Sequence, residues 1–306
     1  MNRTEHKMPA RTDTRNGGAE MKNVAHAGVT IATQSFGTAG DPAILLIMGA
    51  TASMLSWPDE FCAGLAARGY FVIRFDHRDT GQSTTVPPGS ADYDVEDMVA
   101  DAVAILDAYD LERAHLLGMS LGGLISQMVA LLHPKRVISL TLLASAPLGW
   151  DGLPLPHIDP AFLEHFNELG TLDWSDRESV IRFLLRSEEL CAGTGHNFDG
   201  QRQRARIEVI LARTDSIASI FNHGSLKARE DWTGRFRDIG CPVLVVHGEE
   251  DPILPVENGK ALATGIEDAE LLLLPGIGHE LPPLAIPVIL EHLALHLQQS
   301  NGTVPR

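Results

Sequence analysis

Six short, predominantly apolar runs decide what this chain can become, at residues 43–47, 70–75, 115–117, 137–143, 242–246 and 270–274. A strand that is apolar on both faces has to be covered on both faces. That is the situation of a parallel sheet packed between helices. Helical patterns separate most of the runs. Residues 58–68 open with Pro58, set Phe61, Leu65 and Ala66 on one side and stop at Gly69. Val95, Met98, Val99, Ala102, Val103 and Leu106 form a second apolar face, and residues 124–133, 258–264 and 285–297 continue the series. The pattern predicts an α/β fold with a mostly parallel central sheet flanked by helices. Residues 29–33 alternate like an edge strand.

The alternation stops between residues 147 and 232, where no strand pattern occurs. Pro147, Pro154, Pro156 and Pro160 open this stretch as a linker, and helical patterns follow at 161–169, 177–190 and 202–213. Helices inserted between sheet elements read as a cap. The expected organisation is a core at 28–146 and 233–298, a helical cap at 147–232, a disordered extension at 1–27 and a polar tail at 299–306. The first 27 residues lack the apolar centre of a signal peptide. No run approaches the roughly 18 apolar residues of a membrane span. A net charge of −16 argues against nucleic acid and against an anionic membrane surface. Cys62, Cys191 and Cys241 are too widely spaced for a disulfide framework, which points to a reducing cytoplasm. Monomer and homodimer both remain open.

Gly118-Met119-Ser120-Leu121-Gly122-Gly123 joins an apolar run to a helical pattern. A serine at such a strand-to-helix turn projects from the top of the sheet, at the positive end of the following helix. Its hydroxyl is a poor nucleophile unless a base removes the proton and a carboxylate orients that base. In a parallel sheet these groups belong in loops beyond the C-terminal strand ends. Of the 13 histidines, His279 meets that condition, in Gly276-Ile277-Gly278-His279 after the last strand run. His6 and His26 lie in or near the arm, His133 at a helix end, and His292 and His296 on the closing helix, facing solvent or its flank. The loop after residue 246 supplies Asp251, with Glu249 and Glu250 as rivals. For an oxyanion hole, the expected donors are the N–H of Leu121 and that of Ala50 in Met48-Gly49-Ala50.

Together, the serine hexapeptide, Gly248-Glu249-Glu250-Asp251 and Gly278-His279 resemble the α/β-hydrolase superfamily. Asp76-His77-Arg78-Asp79-Thr80-Gly81-Gln82-Ser83 is similar to a stretch of its haloperoxidase-like esterases. Met48-Gly49-Ala50, where relatives carry His-Gly, and Trp57-Pro58-Asp59-Glu60-Phe61 narrow the likeness to the aclacinomycin methylesterase family. The resemblance spans Val29 to about Leu297 and is thinner across the cap. It implies a Ser120–His279–Asp251 triad, Ala50 and Leu121 as oxyanion donors, no cofactor, and carboxylic ester hydrolysis through an acyl-enzyme, as a methylesterase on a bulky apolar or polyketide-like ester.

Met48, Thr51, Met119, Trp150, Phe162, Phe183, Phe221, His223 and Ile253 are the expected pocket residues, because a cap excludes water around an apolar group. No metal motif is present: Asp76, His77 and Asp79 read as a salt-bridged loop around Arg78. Cap arginines 177, 182, 186, 202, 204, 206 and 213 read as surface pairing partners. The same three residues would also serve a C–C bond hydrolase, a lactonase or a cofactor-free haloperoxidase. An inactive ligand-binding module is the alternative from another class.

Overall fold

The computed structural model describes residues 19–300. Among the described residues eight strands form one sheet in the order β1-β2-β4-β3-β5-β6-β7-β8. They are β1 (Glu20–His26), β2 (Val29–Phe36), β3 (Ala43–Ile47), β4 (Phe71–Phe75), β5 (Ala114–Met119), β6 (Val137–Leu143), β7 (Val243–Gly248) and β8 (Glu270–Leu274). From β4 to β8 every pairing is parallel, and only β1–β2 and β2–β4 are antiparallel.

Every residue of β3 to β7 is buried, as continuously apolar strands in a covered sheet should be. Helices α1 (Asp59–Ala66) and α8 (Ile286–Ser300) cover one face, packing Phe61, Leu65, Ile289 and Leu293 onto Leu46, Val72 and Val246. Helices α2 (Val95–Ala108), α3 (Leu121–Leu132) and α7 (Glu257–Gly265) cover the other, packing Ile105, Ile125 and Leu262 onto Leu45, Leu116 and Val245. The Asp94 carboxylate and Asp97 close a capping box at the start of α2. The stretch between β6 and β7 carries α4 (Pro160–Phe166), α5 (Arg177–Cys191) and α6 (Gly200–Arg213), with a 3-10 helix at Ile217–Ser225. No strand lies in that stretch. Among the described residues no helix is long and apolar enough to cross a membrane.

Three expectations need correction. Residues 20–26 are not an extension: they form β1, paired residue for residue with β2. The edge of the sheet is therefore β1, and β2 lies inside it. The tight turn between them uses Ala27 (φ 45) and Gly28 (φ 82), the two positive values of a hairpin turn, without the Asn-Gly signature that normally reveals one. Residues 1–18 lie outside the described residues. At the other end, α8 continues through Ser300, which is buried, so residues 299–300 belong to the helix and 301–306 fall outside the described residues. His296 does not face solvent. It is buried, its Nε2 donates to Leu140 O at 3.1 Å, and burial lowers its pKa.

Candidate active site

β5, β6, β7 and β8 are neighbours and run in the same direction, so the loops after β5, β7 and β8 leave the sheet from one rim. Ser120 stands between β5 and α3 with φ 53 and ψ −118, a backbone conformation that a non-glycine residue rarely adopts. The turn is this sharp because α3 starts directly against β3. A Cβ at Gly122 would stand 2.0 Å from Ile47 O, and one at Gly118 would stand 2.2 Å from Gly122 O. Ser120 is the N-cap of α3, yet its side chain caps nothing, and its hydroxyl makes no hydrogen bond among the described residues. The first turn of α3 leaves backbone N–H groups beside that hydroxyl, Leu121's among them.

His279 and Asp251 meet across the loops after β8 and β7. His279 Nδ1 donates to Asp251 Oδ2 at 2.7 Å, which turns Nε2 away from the carboxylate. Asp251 is buried. Its Oδ1 accepts the N–H groups of Ile253 at 2.9 Å and Leu254 at 2.8 Å, and Oδ2 lies 3.4 Å from His247 Nε2. Burial opposes ionisation of this carboxyl, but the His279 charge and the hydrogen bonds from His247, His279 and Leu254 outweigh it and hold its pKa below the usual carboxylate range.

Glu249 and Glu250 take other places. Glu249 is exposed. Glu250 accepts Thr194 N–H at 2.6 Å and Thr194 Oγ1 at 2.8 Å, bonds that lower its pKa. That contact belongs to a clasp which sequence reasoning missed. After α5, Gly195 N–H donates to Gly276 O at 2.8 Å, and Cys191 O accepts His279 N–H at 2.8 Å. Glu280 accepts both Gly193 N–H at 2.8 Å and His196 Nε2 at 2.7 Å. Residues 191–196 thus fasten the inserted helices to the loops that carry Asp251 and His279. His247 was also missed. The signal it offered was a lone histidine inside an apolar strand, directly before Gly248.

Loop 76–83 is salt-bridged, but Arg78 pairs outside the loop and not with the expected Asp76 or Asp79. Arg78 forms a two-pronged pair with Asp101 at 2.6 and 2.9 Å, and Asp76 accepts Met54 N–H at 2.8 Å and Gln82 N–H at 3.0 Å while pairing with Arg213 at 2.9 Å. Asp79 accepts Val86 N–H, Tyr93 OH and Asn222 Nδ2 at 2.7, 2.6 and 2.9 Å. Among the described residues no three His, Cys, Asp or Glu side chains are placed to hold a metal. The arginines of the insertion are engaged as well: Arg202 with Glu60, Arg204 with Glu178, Arg206 with Glu188, Arg186 with Glu189, Arg182 with Ser179 and Arg177 with Glu208 O.

The expected pocket residues separate into groups. Met48 and Met119 are buried beneath the rim, among the side chains of the α1 and α8 face. Phe162, Phe183 and Phe221 join Phe166, Trp174 and His165 in one aromatic cluster within the insertion. Its contacts include 4.2 Å between His165 and Phe183 and 5.7 Å between Trp174 and Phe221. Ile253 is half-buried beside Asp251. Trp150 lies elsewhere, 5.9 Å from Phe236 among the side chains of the α2 and α3 face. His223 is buried against Thr51 and Arg78. A cleft of about 680 Å³ lies between α4 and α5, bordered by His165, Phe183, Arg182 and Arg186, and touches none of Ser120, Asp251 and His279.

Comparison with known proteins agrees with this architecture. A family model described as the alpha/beta hydrolase fold matches residues 42–283. Rhodomycin D methylesterase DauP of Streptomyces sp. (strain C5) is 32% identical over 271 residues, covering 83% of this chain and 90% of that protein. Bromoperoxidase from Bacillus anthracis superposes with a TM-score of 0.74 at 21% identity, covering 92% of this chain and 100% of the other. The 2-hydroxy-6-oxo-6-phenylhexa-2,4-dienoate hydrolase from Rhodococcus sp. strain RHA1 gives 0.73 at 20% identity, with 92% and 100% covered. At such identities the two structures speak for the fold alone. With most of its length matched by the family model, and with its strand order, elbow and rim loops laid out as above, this chain belongs to the α/β-hydrolase family.

Proposed function

We propose that this protein is a carboxylic ester hydrolase that acts through an acyl-enzyme on Ser120. The observation that carries the reading is the 2.7 Å bond from His279 Nδ1 to the buried Asp251 carboxylate, on the same rim as a serine held at φ 53. With Nδ1 committed to Asp251, Nε2 is the basic nitrogen. It takes the Ser120 proton as Oγ bonds to the ester carbonyl carbon. The carbonyl oxygen becomes an oxyanion, held by the N–H groups of Ala50 and Leu121. When the tetrahedral centre collapses, the carbon–oxygen bond to the alcohol breaks and the imidazolium returns its proton to the departing oxygen. Water then repeats the sequence on the acyl group, and the acid leaves. Asp251, ionised at neutral pH, stabilises the transient imidazolium.

The inserted helices serve as a cap over this rim, and their aromatic cluster makes one wall of the binding site. The methylesterase relative supports a methyl ester as substrate, and the aromatic cluster of the insertion suits a bulky apolar acid; the acyl transfer itself uses no cofactor. Free Cys62, Cys191 and Cys241 support a reducing cytoplasm as the compartment. The test is turnover of p-nitrophenyl and methyl esters, with lactones and vinylogous diketones as competing substrate classes. Ser120→Ala falls to background while keeping its melting temperature, and Asp251→Asn loses roughly 10³- to 10⁴-fold in kcat. Wild-type turnover by a folded Ser120→Ala protein overturns the reading. Preference for a lactone or a diketone reassigns the substrate class.

A further inference from the structure

The segment Met48-Gly49-Ala50-Thr51 is held by two buried histidines from distant parts of the chain. His77 Nε2 donates to Met48 O at 2.8 Å. His223, from the 3-10 helix of the insertion, accepts the Thr51 N–H on Nδ1 at 3.1 Å and donates from Nε2 to Arg78 O at 2.8 Å. An amide can only donate and a carbonyl can only accept, so these bonds specify a neutral His223 with its proton on Nε2. The two rings meet edge to face at 5.9 Å. Thr51 is a β-branched residue at φ 62, a conformation that persists only where the surroundings enforce it. Its own Oγ1 donates to Ala50 O at 2.6 Å.

The consequence is specific to one peptide plane. The Met48–Gly49 peptide is fixed through its carbonyl, and the Ala50–Thr51 peptide through both its carbonyl and its N–H. Between them lies the Gly49–Ala50 peptide, which carries the Ala50 N–H. It runs beside the nucleophile: a Cβ on Gly49 would stand 3.2 Å from Ser120 Cβ and 3.8 Å from Ser120 Oγ. An oxyanion donor is effective when it is aimed before charge develops, without having to reorient.

We propose that His77 and His223 are positioning residues that aim the Ala50 N–H at the oxyanion, and that His223 makes this aim depend on how the inserted helices are seated. The proposal rests on the acyl-transfer reading of Ser120. Neither histidine touches the reacting atoms.

The experiment compares kcat and KM for a p-nitrophenyl ester in the wild type, His223→Phe and His223→Asn, with Ser120→Ala as the reference. Phenylalanine keeps the ring but offers Thr51 no acceptor, whereas asparagine can place an amide oxygen close to where Nδ1 stood. His223→Phe loses about 10- to 100-fold in kcat with KM within about twofold, the scale of a slightly misplaced catalytic group. His223→Asn recovers most of that loss. An unchanged kcat in His223→Phe overturns the proposal, and so does a loss confined to KM, which would make His223 a pocket wall. Should His223→Phe fail to fold, His223→Asn against His223→Gln carries the same comparison, and equal kcat in those two overturns it. Wild-type turnover in Ser120→Ala is the different result that removes the acyl-transfer reading itself, and the brace with it.

Discussion

His77 couples its ionisation to folding, because the folded chain holds it neutral. Burial, with a smaller contribution from the neighbouring His223, lowers its pKa from 6.5 to about 3. The unfolded chain takes up that proton at 6.5 and the folded chain resists it. The stability contribution is therefore complete above pH 6.5 and is lost as the pH falls from there toward about 3. Burial shifts His223 and His296 in the same direction. The expected outcome is a melting temperature that declines across this window, with a shallower decline in His77→Asn, which cannot titrate there. An identical slope in both proteins contradicts the assignment. The sequence exposed the residues proposed to react more readily than their supports. Ser120, Asp251 and His279 each follow an apolar run in a short loop, and glycines flank Ser120 and precede His279. The bond from Thr51 to His223 joins residues 172 positions apart and uses a backbone donor, so neither partner leaves a local signature.

At the scale of elements, the close approach of α3 to the end of β3 is what makes the elbow sharp. A Cβ at residue 122 would meet Ile47 O at 2.0 Å and Met48 O at 2.6 Å, both of them backbone atoms that cannot swing aside. Gly122→Ala is expected to destabilise the protein by about 3 kcal/mol, the upper end of ordinary overpacking, and to lower kcat by displacing the Met48–Ala50 loop. Denaturant melts and ester kinetics check both, and an alanine variant as stable as the wild type contradicts the packing account. Strands β3 to β7 were legible because burial on both faces demands continuous apolarity. β1 was not, because only Val24 of its seven residues is buried and its pairing is set by β2. The helices of the insertion were found within a few residues of their ends. α8 ran three residues beyond its expected stop, since His296 and Ser300 bury polar side chains that bond to backbone carbonyls.

Across the whole molecule, the insertion grips the rim from two sides. On one, α6 reaches the core through Arg202 to Glu60, Arg206 to Ser56 and Arg213 to Asp76. On the other, residues 191–196 bond to Glu250, Gly276, His279 and Glu280. The expectation that these arginines pair at the surface holds for the α5 residues, whereas Arg206 and Arg213 bridge the insertion to the sheet side of the molecule. Residues 191–196 therefore tie the insertion to the loops after β7 and β8, on the rim from which the loop after β5 also leaves. The central claim is that this arrangement makes Ser120 the nucleophile. It is tested most directly by treating the protein with a fluorophosphonate and mapping the adduct by peptide mass spectrometry. The account predicts one adduct, on Ser120, formed more slowly in Asp251→Asn and absent from Ser120→Ala. Ester turnover that survives the reagent with Ser120 unmodified, or an adduct on another residue that abolishes turnover, contradicts it.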